Sequence, residues 1–180
     1  MLPRIVSGLV ALLLVGAMVT GCSGQPAPEP STPSAPTFAS DEEAFAAAEE
    51  TYRAYVDALN QVDLNDPATF EPVFAWTTGE ANSGARKEFS EMHANAWTVT
   101  GETRIALVVP FEMSESAPSL DVCLDVSDVT VVDSDGLSVV SPDRRNVQSM
   151  RIVFDAVSGS PTGFLIADID GREGQPECDS

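Results

Sequence analysis

The chain contains a single histidine, His93, whose imidazole is the side chain best suited to acid–base or nucleophilic chemistry near neutral pH. An imidazole activates a nucleophile only when the two groups lie within hydrogen-bonding distance and an acid orients the ring. The sequence contains no Gly-x-Ser-x-Gly motif that would present a serine to it. His93 is therefore a candidate general base without a recognisable nucleophile, and a half-buried or exposed histidine on a helix explains it more simply.

Alternating carboxylates at residues 133–136 (Asp-Ser-Asp-Gly) resemble the start of a calcium-binding loop. A complete EF-hand loop needs a further ligand at position 5 and a glutamate at position 12. The chain has Leu137 and Arg144 at those positions. We therefore interpret the segment as a hairpin turn, and we expect neither a metal nor another cofactor.

Arg144 and Arg145 form a basic pair in a chain that is otherwise acidic. Guanidinium groups bind carboxylates and phosphates through paired hydrogen bonds, so this pair is a candidate for gripping an anionic ligand or a partner's carboxylate. A solvated loop pair neutralised by nearby acids is the simpler interpretation.

The composition limits the classes of partner that the protein could bind. A length of 180 residues suits one domain. The 28 acidic and 9 basic residues give a net charge of −19, which repels phosphate backbones and anionic lipid headgroups. We therefore expect no nucleic-acid partner. A hydrophobic content of 43% is sufficient for a packed core.

The N-terminus has the pattern of an export signal. One basic residue, Arg4, precedes an apolar run at residues 5–19, and the run ends in Val19-Thr20-Gly21-Cys22. A run of this length with small residues at its end is typical of a signal peptide that is removed. The pattern resembles the lipobox of bacterial lipoproteins, and the resemblance implies that Cys22 is lipidated and becomes the first mature residue. An ordinary secretory signal with a chance cysteine is the alternative.

The segment after Cys22 predicts a tether. Five of the 18 residues from 23 to 40 are proline, and nearly all the others are small or polar, so the segment has no apolar face to bury. An extended proline-rich spacer of this length reaches up to about 55 Å. We expect a signal peptide at 1–21, a lipidated cysteine and tether at 22–39, and one globular domain at 40–180.

Helices are predicted at the start of the domain. Ser40 and Glu43 form a capping box, and apolar residues then recur at helical spacing to about Asn60. A second, short helix is predicted to begin at residues 65–67, where proline occupies the first turn. A third begins near Asn82 or Ser83.

The apolar period changes to two after Trp97, which indicates strands. The predicted strands cover residues 103–109, 120–126, 137–140, 150–156 and 164–169. Ile105, Leu107 and Val109 are expected on one face of the first. Because the apolar positions shift parity between Val126 and Val129, we expect a β-bulge near residues 127–128.

Helices followed by hairpin-connected strands predict an α+β fold, with N-terminal helices packed on a curved antiparallel sheet. Over about residues 40–170 this pattern resembles the NTF2-like (cystatin-like) cone. The chain also resembles small acidic lipoproteins of actinobacteria that have no assigned activity, and its eight arginines against one lysine suit a GC-rich genome. The NTF2-like resemblance implies a pocket inside the cone, for which the candidate lining residues are Tyr52, Tyr55, Trp76, His93 and Trp97. Aromatic residues at helical spacing also fit an ordinary core.

With Cys22 assigned to lipid, Cys123 and Cys178 remain, and an even pair in an exported domain usually forms a disulfide. Cys123 shares the polar face of its strand with Asp121 and Asp125, and Cys178 lies in a polar tail. The bond would pin that tail to the outside of the sheet. A redox-active pair is the alternative, but the chain lacks a Cys-x-x-Cys motif.

These observations favour a lipid-anchored protein on the extracytoplasmic face of the cell membrane, non-catalytic, that binds a protein partner or a small ligand. One alternative is an NTF2-like enzyme that uses His93 or a carboxylate as general base on a small apolar substrate. Another is a structural module that forms a homodimer through an exposed apolar sheet face.

Overall fold

The first helix begins where the capping box predicts. In a computed structural model of the chain, which describes residues 36–114 and 117–178, α1 spans Asp41–Leu59. The Glu43 backbone N–H donates to Ser40 Oγ at 3.2 Å, and the Glu43 carboxylate accepts from the Ala39 N–H at 2.6 Å. The first bond satisfies a donor that the helix start would otherwise leave without a partner, and the second holds the residue before the cap against the first turn. The predicted signal peptide, Cys22 and most of the tether lie outside the described residues.

Two further helices follow α1. Asp66 caps a 3₁₀ turn at Pro67–Phe70 by accepting from the Ala68 N–H, and the turn continues into the short helix α2 (Glu71–Phe74). Helix α3 spans Gly79–Ala94, so its predicted start near Asn82 or Ser83 is wrong. The start lies earlier because the Thr78 N–H donates to the Ile166 carbonyl at 2.7 Å. This bond holds Thr78, the residue before the helix, against the sheet, and the helix begins at Gly79.

Four antiparallel strands form the main sheet in the order β2-β3-β5-β6, where β2 is Arg104–Ser114, β3 is Ala117–Asp125, β5 is Val147–Ala156 and β6 is Phe164–Gly171. Two short strands, β1 (Thr98–Thr100) and β4 (Thr130–Val132), pair with each other in a separate antiparallel sheet. Helix α1 packs on the main sheet, and α3 packs against β6. The predicted α+β fold, with N-terminal helices packed on a curved antiparallel sheet, is confirmed.

The parity shift after Val126 has a different cause from the one predicted. There is no bulge at residues 127–128, because β3 ends at Asp125 and the chain turns before β4 joins the other sheet. Irregular register occurs instead in β2, between Ile105 and Leu107 and again near its end. The shift turns Leu107 outward, 38% exposed, although the alternation placed it beside Ile105 on one face. The predicted strand at residues 137–140 is reduced to a single bridge between Val132 and Ser138.

The core has two parts. The larger lies between α1 and the inner face of the main sheet and consists of Ala44, Ala48, Tyr52, Val56, Leu120, Val122, Ile152, Phe154, Phe164 and Ile166. The smaller lies among the three helical segments and consists of Ala58, Leu64, Phe70, Val73, Phe74 and Phe89. Phe38 stacks on Phe164 with ring centroids 4.9 Å apart. Packing on the sheet therefore includes residues just before the first helix.

Candidate functional site

A cavity of about 460 Å³ lies between α1, α3 and the small sheet of β1 and β4. Most of its wall is apolar, which is typical of a pocket for a small organic ligand. The lining residues are Tyr55, Leu59, Asn60, Val62, Leu64, Ala85, Glu88, Phe89, Met92, Val99, Thr100, Gly101, Thr103, Val129 and Val131.

Helical spacing aims the α3 side chains at this cavity. Ala85, Glu88 and Met92 are three and four residues apart, so they share one face of the helix. The small sheet contributes Val99 and Val131, which are direct partners in the antiparallel register. The wall therefore combines side chains from α1, α3, β1 and β4.

Gly101 shapes the end of the cavity where β1 leads into β2. Its φ of +87° lies in the left-handed region, which L side chains rarely adopt. A Cβ atom built there would lie 1.9 Å from the carbonyl oxygen of Asp128. Only glycine allows the two backbones to approach this closely, so the position of the β3–β4 turn depends on it.

Several polar groups of the wall are already satisfied by protein. The Asn60 side chain donates to the Thr103 carbonyl and accepts from the Thr103 N–H, both at 2.9 Å. The hydroxyl of Thr100 is hydrogen-bonded to that of Thr130 at 2.7 Å. These groups hold α1 and the small sheet in place, and the bonds occupy them within the protein.

Tyr55 and Glu88 differ from those groups. Within residues 36–114 and 117–178, neither side chain makes a hydrogen bond or an ion pair. Burial raises the pKa of Tyr55 to about 12, and the negative charge of Glu88 contributes in the same direction. The Tyr55 hydroxyl therefore keeps its proton at neutral pH. A protonated phenol beside a carboxylate offers a ligand one donor and several acceptors.

The five residues that the sequence suggested for a pocket are not brought together. Tyr55 lines the cavity, and Tyr52 stacks beside it, 6.0 Å between centroids, but is buried against the sheet. Burial, with a smaller contribution from Tyr55, raises the pKa of Tyr52 as well. Trp76 and Trp97 are half-buried and pack against the smaller core. Neither contributes to the cavity wall.

His93 lies outside this cavity, in a separate shallow depression beside Phe70 and Phe74. Its Nδ1 is 2.7 Å from the Leu64 carbonyl oxygen, so this nitrogen carries the proton and donates it. The bond ties α3 to the loop before the 3₁₀ turn. The ionisable groups that do line the cavity are Glu88 and Tyr55.

Glu88 was not among the predicted pocket residues, although the sequence carries a signal for it. It lies three residues after Ala85 and four before Met92, on a face of α3 that is otherwise apolar. The helical period alone identifies an acid on an otherwise apolar face. It does not show that this face lines a cavity.

The outer face of the main sheet carries a buried ionic cluster. Asp121, 2% exposed, accepts two hydrogen bonds from Arg151, at 2.9 and 3.1 Å. These bonds raise the pKa of Arg151. Arg172 places its Nε 3.6 Å from the same carboxylate and donates through its Nη atoms to the carbonyls of Gly174 and Pro176. Arg172 therefore joins the carboxylate to the backbone of the C-terminal tail.

The disulfide predicted from the cysteine count is present between Cys123 and Cys178, with Cα atoms 5.5 Å apart. It fastens the tail across β3, as expected. The tail also buries the strand face that the alternation marked as polar, since both Cys123 and Asp121 are nearly inaccessible. The guanidinium of Arg172 lies 3.5 Å from the Cys178 sulfur, so the disulfide and the ionic cluster are contiguous.

The two arginines at residues 144 and 145 lie in different environments. Arg144 donates to the carbonyls of Val126 and Val129 at 3.0 and 2.7 Å, which fixes the turn between β3 and β4. Arg145 is exposed near the disulfide. Among the described residues, no group of three or more His, Cys, Asp or Glu side chains is placed to hold a metal ion. Residues 36–114 and 117–178 also contain no helix long and apolar enough to cross a membrane.

No protein-family model matches the sequence, and no curated protein matches it. Several solved structures are similar in shape. A proposed aromatic ring hydroxylase from Novosphingobium aromaticivorans is 15% identical, with 73% of this chain and 94% of that chain covered and a TM-score of 0.46. A Catenulispora acidiphila protein in complex with S-DNPA is 16% identical, with coverages of 69% and 89% and a TM-score of 0.45. Aln2 from a Streptomyces species is 14% identical, with coverages of 74% and 91% and a TM-score of 0.43. These similarities concern the fold alone.

Proposed function

We propose that the chain is a lipid-anchored extracytoplasmic protein whose domain binds a small, mostly apolar ligand in the cavity between α1, α3 and the small sheet. The observation that carries this proposal is the cavity itself, about 460 Å³ with an apolar wall and two polar side chains that have no partner among the described residues. Tyr55 is mostly buried, and a buried hydroxyl usually has a hydrogen-bond partner. Glu88 is exposed at the same cavity, so both side chains are available to polar groups of a ligand.

The cavity also suits the enzymatic alternative in its carboxylate form. Glu88 would act as general base and the protonated Tyr55 hydroxyl would donate a hydrogen bond to the substrate. The two functions differ in what leaves the protein. A binding protein releases its ligand unchanged, whereas an enzyme releases a chemically altered product. A protein partner and a homodimer stay predictions from the sequence.

The anchor is tested by replacing Cys22 with alanine. We expect the full-length variant to move from the membrane fraction to the soluble extracytoplasmic fraction, because two or more acyl chains on this cysteine would provide the stable attachment. Immunoblotting after cell fractionation measures the distribution, and Ser23→Ala, the neighbouring change, is the control. A Cys22→Ala protein that remains with the membrane contradicts the proposal.

The cavity is tested with 4-phenylbutan-1-ol, a neutral probe small enough to enter it. We expect saturable binding with a dissociation constant of about 1 mM or tighter, given the free energy that a ligand of this size gains per atom. Ala85→Trp directs an indole into the cavity and is expected to weaken binding about tenfold or more. Saturation-transfer difference NMR on the purified protein measures both.

The matched control for this test is Ala94→Trp, because Ala94 is exposed at the end of the same helix and does not line the cavity. Thermal unfolding shows whether each variant is folded, and Ala85→Leu repeats the test with a smaller side chain if the tryptophan is not tolerated. Equal binding by the parent chain and a folded Ala85 variant contradicts the proposal, as does the absence of saturable binding.

A further inference from the structure

We propose that the ligand of this cavity carries a protonated amine, which Glu88 binds through its carboxylate while the apolar wall holds the rest of the molecule. This inference rests on the proposed ligand-binding function and specifies the chemical class of the ligand. It follows from the charges around the cavity and from the hydrogen bonds that are already occupied.

Among the described residues that line the cavity, Glu88 is the one carboxylate. None of them is a lysine, arginine or histidine. The two basic residues beside it on α3 are directed elsewhere. Arg86 lies 3.7 Å from Glu71, and Lys87 lies 3.9 Å from Glu91. The charge of Glu88 therefore has no counter-ion within residues 36–114 and 117–178 and is available to a cationic group that enters the cavity.

Glu88 is exposed to solvent and also contributes to the wall, so it lies where the cavity opens. A charged group there remains partly hydrated, and its cost of desolvation is small. The ammonium of a bound amine would stay near water while the apolar part contacts Phe89, Met92 and Val99, which are less exposed than Glu88. This arrangement suits a molecule with one cationic end and one apolar end.

Tyr55 adds a second contact. Its hydroxyl is protonated at neutral pH, burial and Glu88 both raise its pKa further, and its oxygen accepts a hydrogen bond from an ammonium. Two other polar groups of the wall, Asn60 and Thr100, are already hydrogen-bonded within the protein. An anionic ligand would meet the repulsion of Glu88 and of a chain whose net charge is −19.

Three probes with the same phenylbutyl body separate charge from shape: 4-phenylbutylamine, 4-phenylbutan-1-ol and 4-phenylbutanoate. We expect the amine to bind the purified protein about tenfold more tightly than the alcohol, and the carboxylate to bind more weakly than either. Dissociation constants from protein-observed NMR titrations at low salt give the ratios. The preference for the amine is expected to fall as ionic strength rises.

Glu88→Gln and Glu91→Gln remove the same charge from the same helix, but Glu91 pairs with Lys87 and does not line the cavity. We expect Glu88→Gln to bring the amine and alcohol to within about twofold of each other and Glu91→Gln to retain the tenfold ratio. Equal loss in both variants, or equal affinities for all three probes in the parent chain, overturns the inference while leaving the cavity as a binding site. Absence of binding by every probe overturns the proposed function as well.

Discussion

Replacing Asp121 with alanine is expected to lower the free energy of unfolding by about 3–5 kcal/mol. The carboxylate is buried between Arg151, which donates two hydrogen bonds to it, and Arg172, whose side chain is only 4% exposed. Removing it leaves the Arg172 charge buried without its partner, which costs more than the pair contributed. Urea unfolding followed by circular dichroism measures the change.

Asp128→Ala is the matched control for this prediction. Asp128 forms an ion pair with Arg104 at 2.6 Å, but both side chains are about half exposed. Solvent screening makes such an exposed pair contribute much less to stability than a buried one. If the two alanine variants lose similar stability, the buried ionic cluster contributes no more to stability than an exposed ion pair. That result contradicts the prediction.

Removing the disulfide, by Cys123→Ala with Cys178→Ala, is expected to lower the free energy of unfolding by about 2–4 kcal/mol. The bond joins residues 55 apart in sequence, so it restricts a long loop in the unfolded chain. In the folded chain it holds the tail over Asp121. Urea unfolding of the double variant and of the oxidised parent gives the difference in free energy of unfolding. A loss of less than about 0.5 kcal/mol contradicts the prediction.

The disulfide and the ionic cluster are also expected to act together. Arg172 contacts both the Asp121 carboxylate and the Cys178 sulfur, so releasing the tail frees the guanidinium from its buried position. A variant that lacks Asp121 and both cysteines should therefore lose less stability than the sum of the separate losses, because contacting residues are not additive. Lys87→Ala, a substitution at an exposed position of α3, serves as the reference outside the cluster in the same background.

Local signals in the sequence were sufficient for much of the fold. Ser40 and Glu43 identify the start of α1, and Asp66 with Pro67 identifies the next helical turn. Period-two alternation located β2, β3, β5 and β6, whose side chains face a packed layer on at least one side. The disulfide was predicted from the cysteine count together with the export signal that the N-terminal pattern predicts. Each of these features depends on residues near one another in sequence or on a simple count.

Features set by distant contacts were not predictable in the same way. Helix α3 begins early because Thr78 bonds to β6, and Leu107 turns outward because of irregular pairing with β3. The strands β1 and β4 are three residues long, too short for a periodic signal, yet they form a wall of the cavity. Pairing partners decide such elements, and one sequence does not reveal them.

The candidate site also combines residues that local sequence patterns identify with residues that only distant contacts place. The sequence supplied Tyr55 through its aromatic character, but it gave equal standing to His93 and Trp76, which lie elsewhere in the fold. Glu88 was readable from its place in an apolar helical face, because that face is a local property of α3. That this face borders a cavity rather than a filled core depends on the small sheet, which only the tertiary structure shows.

The most direct test of the central claim is where a probe binds. In a ¹⁵N–¹H NMR titration of the purified protein with 4-phenylbutylamine, we predict saturable shifts at amides around the cavity, among them Val99, Gly101 and Val131. We predict no comparable shifts at Arg151 or Arg172 on the outer face of the sheet. Shifts confined to that outer face, or no saturable shifts at all, would contradict a ligand-binding cavity between α1, α3 and the small sheet.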